Sequence, residues 1–504
     1  MNISKPRLGL ASILLLGSLG SLGSLASVTG LGLVASACST STPAALGDDG
    51  GGTTEAGGDA ALAVGCADAI DAVYGDPGAL TGEPGSILKC AADRTWSQTD
   101  LEAYARANEY AYTGKPFTSG AKVYRVTYRT ERGDTAKTPG YTSALVFVPD
   151  HPSAGAPAVV ASHGTAGQAP ACTPSKAKFD SKSDAFAAMI FPLVGVGYPV
   201  IVPDYAGYAN YGAAGNAPSG YAASDDVGKS VLDGLRALRK LVPGITSDKS
   251  IVVGHSQGGH SALSALAVAE SYGVKVDGVV TYSPLWFNQA TWGALLALSA
   301  SYPLADNAFP AGVGIWYHYS HGELMEGPGH GVDVFAADKR AAIKSFFDTS
   351  CETDPVKNLG KFPADLYDPD FTASIKLAAA LGSPCGNATC EKWVARYAAD
   401  RPHLTGTAKT TPTLVLYGTK DTTIPPERAM CGFQRLASDG AAAKVCVVDG
   451  QNHSGIVGER AAYVNDWIAS ITQGAPAPAA CAADEKSLTA DGGPVECATP
   501  PPND

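Results

Sequence analysis

The sequence predicts an α/β fold: a mostly parallel sheet with helices on both faces and an inserted helical cap. Three observations predict it. Short apolar runs alternate with helical patterns from about residue 120 to residue 283. Between about 284 and 405 that alternation stops and helical patterns take over. The run 250–261, SIVVGHSQGGHS, passes from an apolar strand through a Gly-x-Ser-x-Gly turn straight into a helical pattern.

Length and composition bound the rest. The 504 residues allow one decorated domain, and 45% hydrophobic with 17% charged residues is a globular composition. The net charge of -12 argues against a nucleic-acid partner. Lys5 and Arg7 precede an apolar stretch that ends in Val34-Ala35-Ser36-Ala37-Cys38. Small residues before a cysteine are the pattern of a bacterial lipoprotein signal, so residues 1–38 are expected to be a signal peptide with Cys38 lipidated. That implies an exported cell-envelope lipoprotein on a membrane through its lipid, or a secreted protein if Cys38 stays free. Residues 39–60, rich in Gly, Thr and Asp, read as a flexible linker. The catalytic domain is expected over 61–473, with a Pro/Ala-rich tail over 474–504.

The chain has 11 cysteines. Assigning Cys38 to lipid leaves the others to pair in an oxidising compartment. Neighbours in sequence suggest Cys66–Cys90, Cys385–Cys390, Cys431–Cys446 and Cys481–Cys497, which leaves Cys172 and Cys351 for each other. Spacing does not fix this connectivity. No C-x-x-C occurs, which argues against a thiolate zinc site.

In chain order, a helix is expected near 100–111. An alternating, half-exposed strand follows at 122–130, then more continuous, buried strands at 143–148 and 158–162. A helix at 185–197 leads to a strand at 199–204. Ser224 is a plausible N-cap, with Asp225 and Asp226 in the first turn of a helix whose Val227, Val231, Leu235, Leu238 and Val242 share one face. A strand at 278–282 follows the serine turn and its helix. The cap shows helical patterns at 292–298, 339–347 and 371–381. Its Leu285, Trp286, Phe287, Trp292, Leu295 and Leu296 line a substrate pocket or, the more ordinary fate, form the cap's own core. Strands resume at 413–417 and 444–448, and a closing helix covers 459–471.

The chemistry centres on Ser256. A nucleophile at the carboxyl end of a strand needs a tight turn, and Gly254 and Gly258 remove side chains that would collide with it. The N–H of Gln257 then faces the future oxyanion at a helix N-terminus. A serine also needs a base, and the base an orienting carboxylate. Asp421 lies in the loop after 413–417 and His453 in the loop after 444–448, in the order Ser, acid, His. Asp449 is the rival acid. Thr165 or Ala166, after the strand 158–162, is the second oxyanion donor, with Thr165 preferred. His255 and His260 flank the nucleophile and are read as packing or positioning groups. His318, His321 and His330, near Glu323, Glu326 and Asp333, match no metal spacing and read as a polar cap loop. No metal or other cofactor is expected.

Several stretches resemble the secretory lipase family, which includes fungal lipase A and bacterial relatives: SHGTAG with Cys172-Thr173-Pro174-Ser175, PDYAGY at 203–208, LDGLRAL at 232–238, GHSQGGH, and the Asp421 and His453 loops. The resemblance covers roughly residues 100–471 apart from the cap. It implies an α/β-hydrolase fold acting on carboxylic esters, often of lipids, and a bond between Cys172 and a cap cysteine, here Cys351. Gln257 stands where fungal members tend to carry a smaller residue. The expected activity is ester hydrolysis through an acyl-enzyme, on a small-molecule or lipid ester. The same triad also serves peptidases and amidases, and a surface-binding protein with an idle hydrolase fold is the rival of another class.

Overall fold

The computed structural model describes residues 62–209, 211–212 and 216–481. The signal segment with Cys38, the linker 39–60, and Cys497 in the tail lie outside the described residues. A short helix α1 (Ile70–Val73) precedes β1 (Ile87–Trp96), α2 (Gln98–Ala107), β2 (Ala121–Glu131), β3 (Pro139–Pro149) and β4 (Ala158–Ser162). Then come α3 (Ala185–Gly195), β5 (Val200–Pro203), α4 (Ser224–Leu241), β6 (Ser250–His255), α5 (Gln257–Ala269) and β7 (Gly278–Tyr282). Five cap helices follow: α6 (Gln289–Ala297), α7 (Ala308–Met325), α8 (Arg340–Thr349), α9 (Pro369–Leu381) and α10 (Ala388–Ala399). The chain closes with β8 (Thr413–Gly418), α11 (Pro426–Ser438), β9 (Ala443–Val448) and α12 (Gly455–Thr472).

The strands form one sheet in the order β1-β2-β3-β5-β4-β6-β7-β8-β9. The first three run antiparallel and β3 meets β5 antiparallel; every pairing from β5 to β9 is parallel. Strand alternation separates two cores. Val159, Ala161, Ile251, Val253 and Val280 face α2, α3 and α12. Ala158, Val160, Val252 and Val279 face α4 and α5. The register aligns Ser162 with Gly254, His255 with Tyr282 and Gly418 with Val448. The loops after β4, β6, β8 and β9 therefore leave the same edge of the sheet, where open α/β sheets hold ligands.

Several expectations change. β1 was not foreseen: its Lys89, Asp93 and Arg94 hide the apolar pattern, which an edge strand tolerates. β2 is largely buried rather than half exposed, because β1 covers its outer side and α4 packs behind it. Ser224 is the first helical residue of α4, not its cap; its N–H donates to the Asp400 carboxylate at 2.9 Å. The polar loop expected at 317–330 is mostly α7. A helix buried on every side has no polar stripe to betray it. His318 bonds the Tyr397 hydroxyl at 2.7 Å, His321 bonds Asp400 at 2.7 Å, and His330 pairs with Asp333 at the surface. The three histidines thus serve separate partners. Phe287, Trp292 and Leu296 belong to the cap's own core.

Cys66–Cys90, Cys172–Cys351 and Cys385–Cys390 are bonded. The expected Cys431–Cys446 and Cys481–Cys497 pairs are corrected: Cys446 bonds Cys481. Cys446 points to the α12 face of β9, with Cys481 packed against the same core. Cys431 sits on α11, whose Ala429 and Met430 pack with Val447, the neighbour of Cys446 on the opposite face. Cys431 is also disulfide-bonded.

Candidate active site

Ser256 sits between β6 and α5 with φ 58° and ψ -120°, a backbone conformation rare for a non-glycine residue. The two flanking glycines permit it. A Cβ on Gly254 would lie 2.0 Å from the Gly258 carbonyl oxygen, and one on Gly258 would lie 1.9 Å from the Ser162 carbonyl oxygen. The elbow therefore presses against the end of β4.

Asp421 and His453 meet as a pair. The His453 Nδ1–H donates to Asp421 Oδ2 at 2.8 Å. Asp421 Oδ1 accepts the N–H groups of Thr423 at 2.9 Å and Ile424 at 2.8 Å. Burial alone would raise the Asp421 carboxyl, but the His453 bond and charge, aided by the Ile424 N–H, hold it below the ordinary carboxylate range. It therefore stays ionised. Asp449, the rival acid, accepts from the Thr419 hydroxyl at the surface. His453 and Ser256 line one cleft of about 480 Å³ with Thr165, Gly164 and His255. Gln257 heads α5 and is fully buried, and its N–H has no backbone partner among the described residues.

The loop after β4, residues 163–176, and the segment beside it are held from three directions that sequence reasoning did not foresee. Thr165 Oγ1 bonds the Tyr221 hydroxyl at 2.6 Å, and the Tyr221 N–H donates to Ser320 on α7 at 3.0 Å. The buried Arg132–Asp226 pair ties down the 216–220 segment just before Tyr221. Arg132 donates to Asp226 at 2.8 and 3.0 Å and to the carbonyls of Ala217 and Pro218 at 2.6 and 2.9 Å. Asp204 is the third anchor. It accepts the Ser143 hydroxyl at 2.6 Å and the Ser175 N–H at 2.6 Å, and also the Ser175 hydroxyl. Asp204 lies in the PDYAGY stretch, the one signal the sequence offered for it.

Burial raises the Asp204 carboxyl to about 6 despite these hydrogen bonds. Its folded value thus exceeds its unfolded one. Its stabilising contribution is full below about pH 4 and is lost as pH rises through about 6. Asp204→Asn should therefore flatten the loss of stability between pH 4 and 7.5 by up to about 3 kcal/mol relative to wild type. Urea denaturation at several pH values checks this.

His255 bears on His453. Its Nε2–H donates to the His453 carbonyl at 2.9 Å, and the two rings lie 4.8 Å apart. Burial, then the charge of His453, pushes it down to about 3, so it remains a neutral donor. His255→Phe should lower kcat by roughly ten- to a hundredfold by loosening the His453 loop, while His255→Gln, which keeps an N–H donor, recovers most of it. Steady-state kinetics with matched pH profiles check this.

A profile of the alpha/beta hydrolase family matches residues 159–467, which spans β4, the elbow, both loops and most of α12. The chain belongs to the alpha/beta hydrolase family. No curated protein matches it in sequence. Among solved structures, this hydrolase resembles a candidate hydrolase from Legionella pneumophila at 17% identity and TM-score 0.60, covering 76% of this chain and 98% of that one. It also resembles the rice cell wall degrading esterase LipA from Xanthomonas oryzae at 18% identity and TM-score 0.56, covering 78% and 96%. A third is Candida antarctica lipase A, at 16% identity and TM-score 0.54, covering 79% and 84%. At these identities the likeness is one of fold.

Proposed function

We propose that this alpha/beta hydrolase is an exported serine hydrolase of carboxylic esters, a lipase or esterase. The observation that carries the reading is the His453–Asp421 hydrogen bond in the cleft that also holds Ser256 on its strained turn. His453 takes the Ser256 proton as Oγ attacks the ester carbonyl carbon. The N–H groups of Gln257 and Thr165 stabilise the oxyanion, at a helix N-terminus and in a loop whose partners are already set. His453 then protonates the leaving alcohol. Water, deprotonated by the same imidazole, attacks the acyl-enzyme and releases the acid and Ser256. Asp421 orients the imidazole and stabilises the imidazolium. No metal or cofactor enters the scheme.

The fold shared with an esterase and a lipase supports the substrate class, as does the secretory lipase resemblance of the motifs. The disulfides among the described residues fit an oxidising compartment and hence export. Lipidation of Cys38, membrane attachment through it, and division into linker, catalytic domain and tail complete the proposal. A fluorophosphonate probe tests it. The expected result is stoichiometric labelling, with the adduct on the Ser256 peptide by mass spectrometry. A folded protein that neither labels nor hydrolyses p-nitrophenyl esters would instead be a binding protein.

A further inference from the structure

A cavity of about 400 Å³ lies where the cap joins the core, and it shares no lining residue with the Ser256 cleft. Trp286 and Phe287, on the way from β7 into the cap, line one side, and Arg401 and Pro402, on the way out of it, line another. The third side is α11, where Arg428, Cys431 and Arg435 stand three and four residues apart on one face. A Cβ on Gly432 would lie 2.0 Å from the Trp286 ring, so the entry to the cap is pressed against α11. Arg428 is exposed and Arg435 half-buried, beside the apolar surface of Trp286 and Leu436. Arg401 pairs with Asp439 at 3.1 Å, and Glu427 is the acid among the lining residues.

Cysteine pairing says what reaches this cavity. Cys66–Cys90, Cys172–Cys351, Cys385–Cys390 and Cys446–Cys481 account for every described cysteine except Cys431. Cys431 is disulfide-bonded, so its partner lies outside the described residues, where the sequence offers Cys38 and Cys497, or in a second copy of this chain. A lipidated Cys38 carries its sulfur in a thioether and cannot pair, which leaves Cys497 within the chain. The reach is sufficient. Cys481 is fixed on the α12 face of β9, the last strand of the sheet, and α11 packs on the opposite face. The sixteen-residue step from Cys481 to Cys497 spans about 50 Å when extended, enough to round one strand and a layer on each side. Charge agrees as well. Residues 482–497 carry Asp484, Glu485, Asp491 and Glu496 against Lys486 alone, and Glu496 adjoins Cys497.

We propose that Cys431 is bonded to Cys497, and that residues 482–497 form a strap that rounds β9 and fills the cavity at the base of the cap. Glu496 meets the Arg428 and Arg435 side of α11, and Pro494 and Val495 cover Trp286 and Leu436. The strap clasps β9, α11 and both ends of the cap into one unit, and it covers the open edge that β9 leaves at the end of the sheet. This rests on the lipidation of Cys38 proposed above and is independent of the ester chemistry.

The test has two parts, both on the full chain exported from a bacterial host. Free thiols are alkylated, the protein is digested without reduction, and the linked peptides are read by mass spectrometry. The expected product joins the Cys431 peptide to the Cys497 peptide. A Cys431 thiol found alkylated, or a bond between two copies of Cys431, overturns the proposal alone. A bond from Cys431 to Cys38 overturns it together with the lipidation reading. Hydrogen exchange then compares wild type with Cys497→Ser. Peptides covering 284–292 and 426–438 should exchange at least about threefold faster in the variant. Unchanged exchange means that the strap does not fill the cavity and overturns the docking. Glu496→Lys, which keeps the disulfide and reverses the charge, gives the same reading if Cys497→Ser does not fold.

Discussion

Ser256→Ala lowers turnover of a p-nitrophenyl ester by about four to six powers of ten and leaves the fold intact. The size follows from the mechanism: without Oγ, His453 has no nucleophile to activate, and only the oxyanion donors and binding remain. The intact fold follows from the contacts. The main chain of Ser256 is what the structure uses. Its N–H donates to the Tyr282 carbonyl at 2.9 Å, and its carbonyl accepts from Leu285 at 2.9 Å. Alanine keeps both, and it tolerates φ 58° no worse than serine does. Residual activity with a thermal midpoint within about 2 °C of wild type is the expected pair of readings. Wild-type turnover in this variant would exclude Ser256 as the nucleophile.

Asp226→Ala destabilises the protein by about 3–5 kcal/mol, the cost of leaving a buried charge without its partner. The Arg132 and Asp226 side chains are 1% and 0% exposed. The carboxylate also accepts the N–H groups of Gly133 at 2.8 Å and Gly220 at 3.3 Å. Removing it strands the guanidinium and two backbone donors together. The 216–220 segment leads into Tyr221, which holds Thr165. The surviving folded fraction should therefore also lose kcat. Urea denaturation gives the first effect, and kinetics well below the midpoint give the second. A loss of stability below about 1 kcal/mol would mean that water replaces the carboxylate.

What could be read in advance divides along a physical line. The elbow was legible because its chemistry dictates residue types at fixed local spacing: strand, Gly254, Ser256, Gly258, helix. The parallel strands were legible because burial on both faces leaves a continuous apolar run. β1 was not, because an edge strand with Lys89 and Arg94 has no such pattern. α7 was not, because a helix enclosed on every side loses its periodicity. The Cys431–Cys446 guess failed on a parity that spacing does not carry: alternate residues of β9 face opposite layers. The supports of the segments around Thr165 and Ser175 were hidden for a further reason. Tyr221, Arg132 and Asp204 act through contacts between residues far apart in sequence, and each is individually ordinary.

Asp400, at the end of α10, joins the cap to the core more tightly than a hinge would. One carboxylate oxygen accepts the Ser224 N–H at the start of α4, and the other accepts His321 and Tyr317 from α7. Its carbonyl accepts the His260 ring from α5 at 2.8 Å, one turn beyond Ser256. A cap swinging open at this corner would break bonds to two core helices at once. The roof is bolted to α4 and α5 through this one residue, so opening the cap at this corner is costly. Phe309, on the first turn of α7, instead stands exposed beside the cleft that holds Ser256.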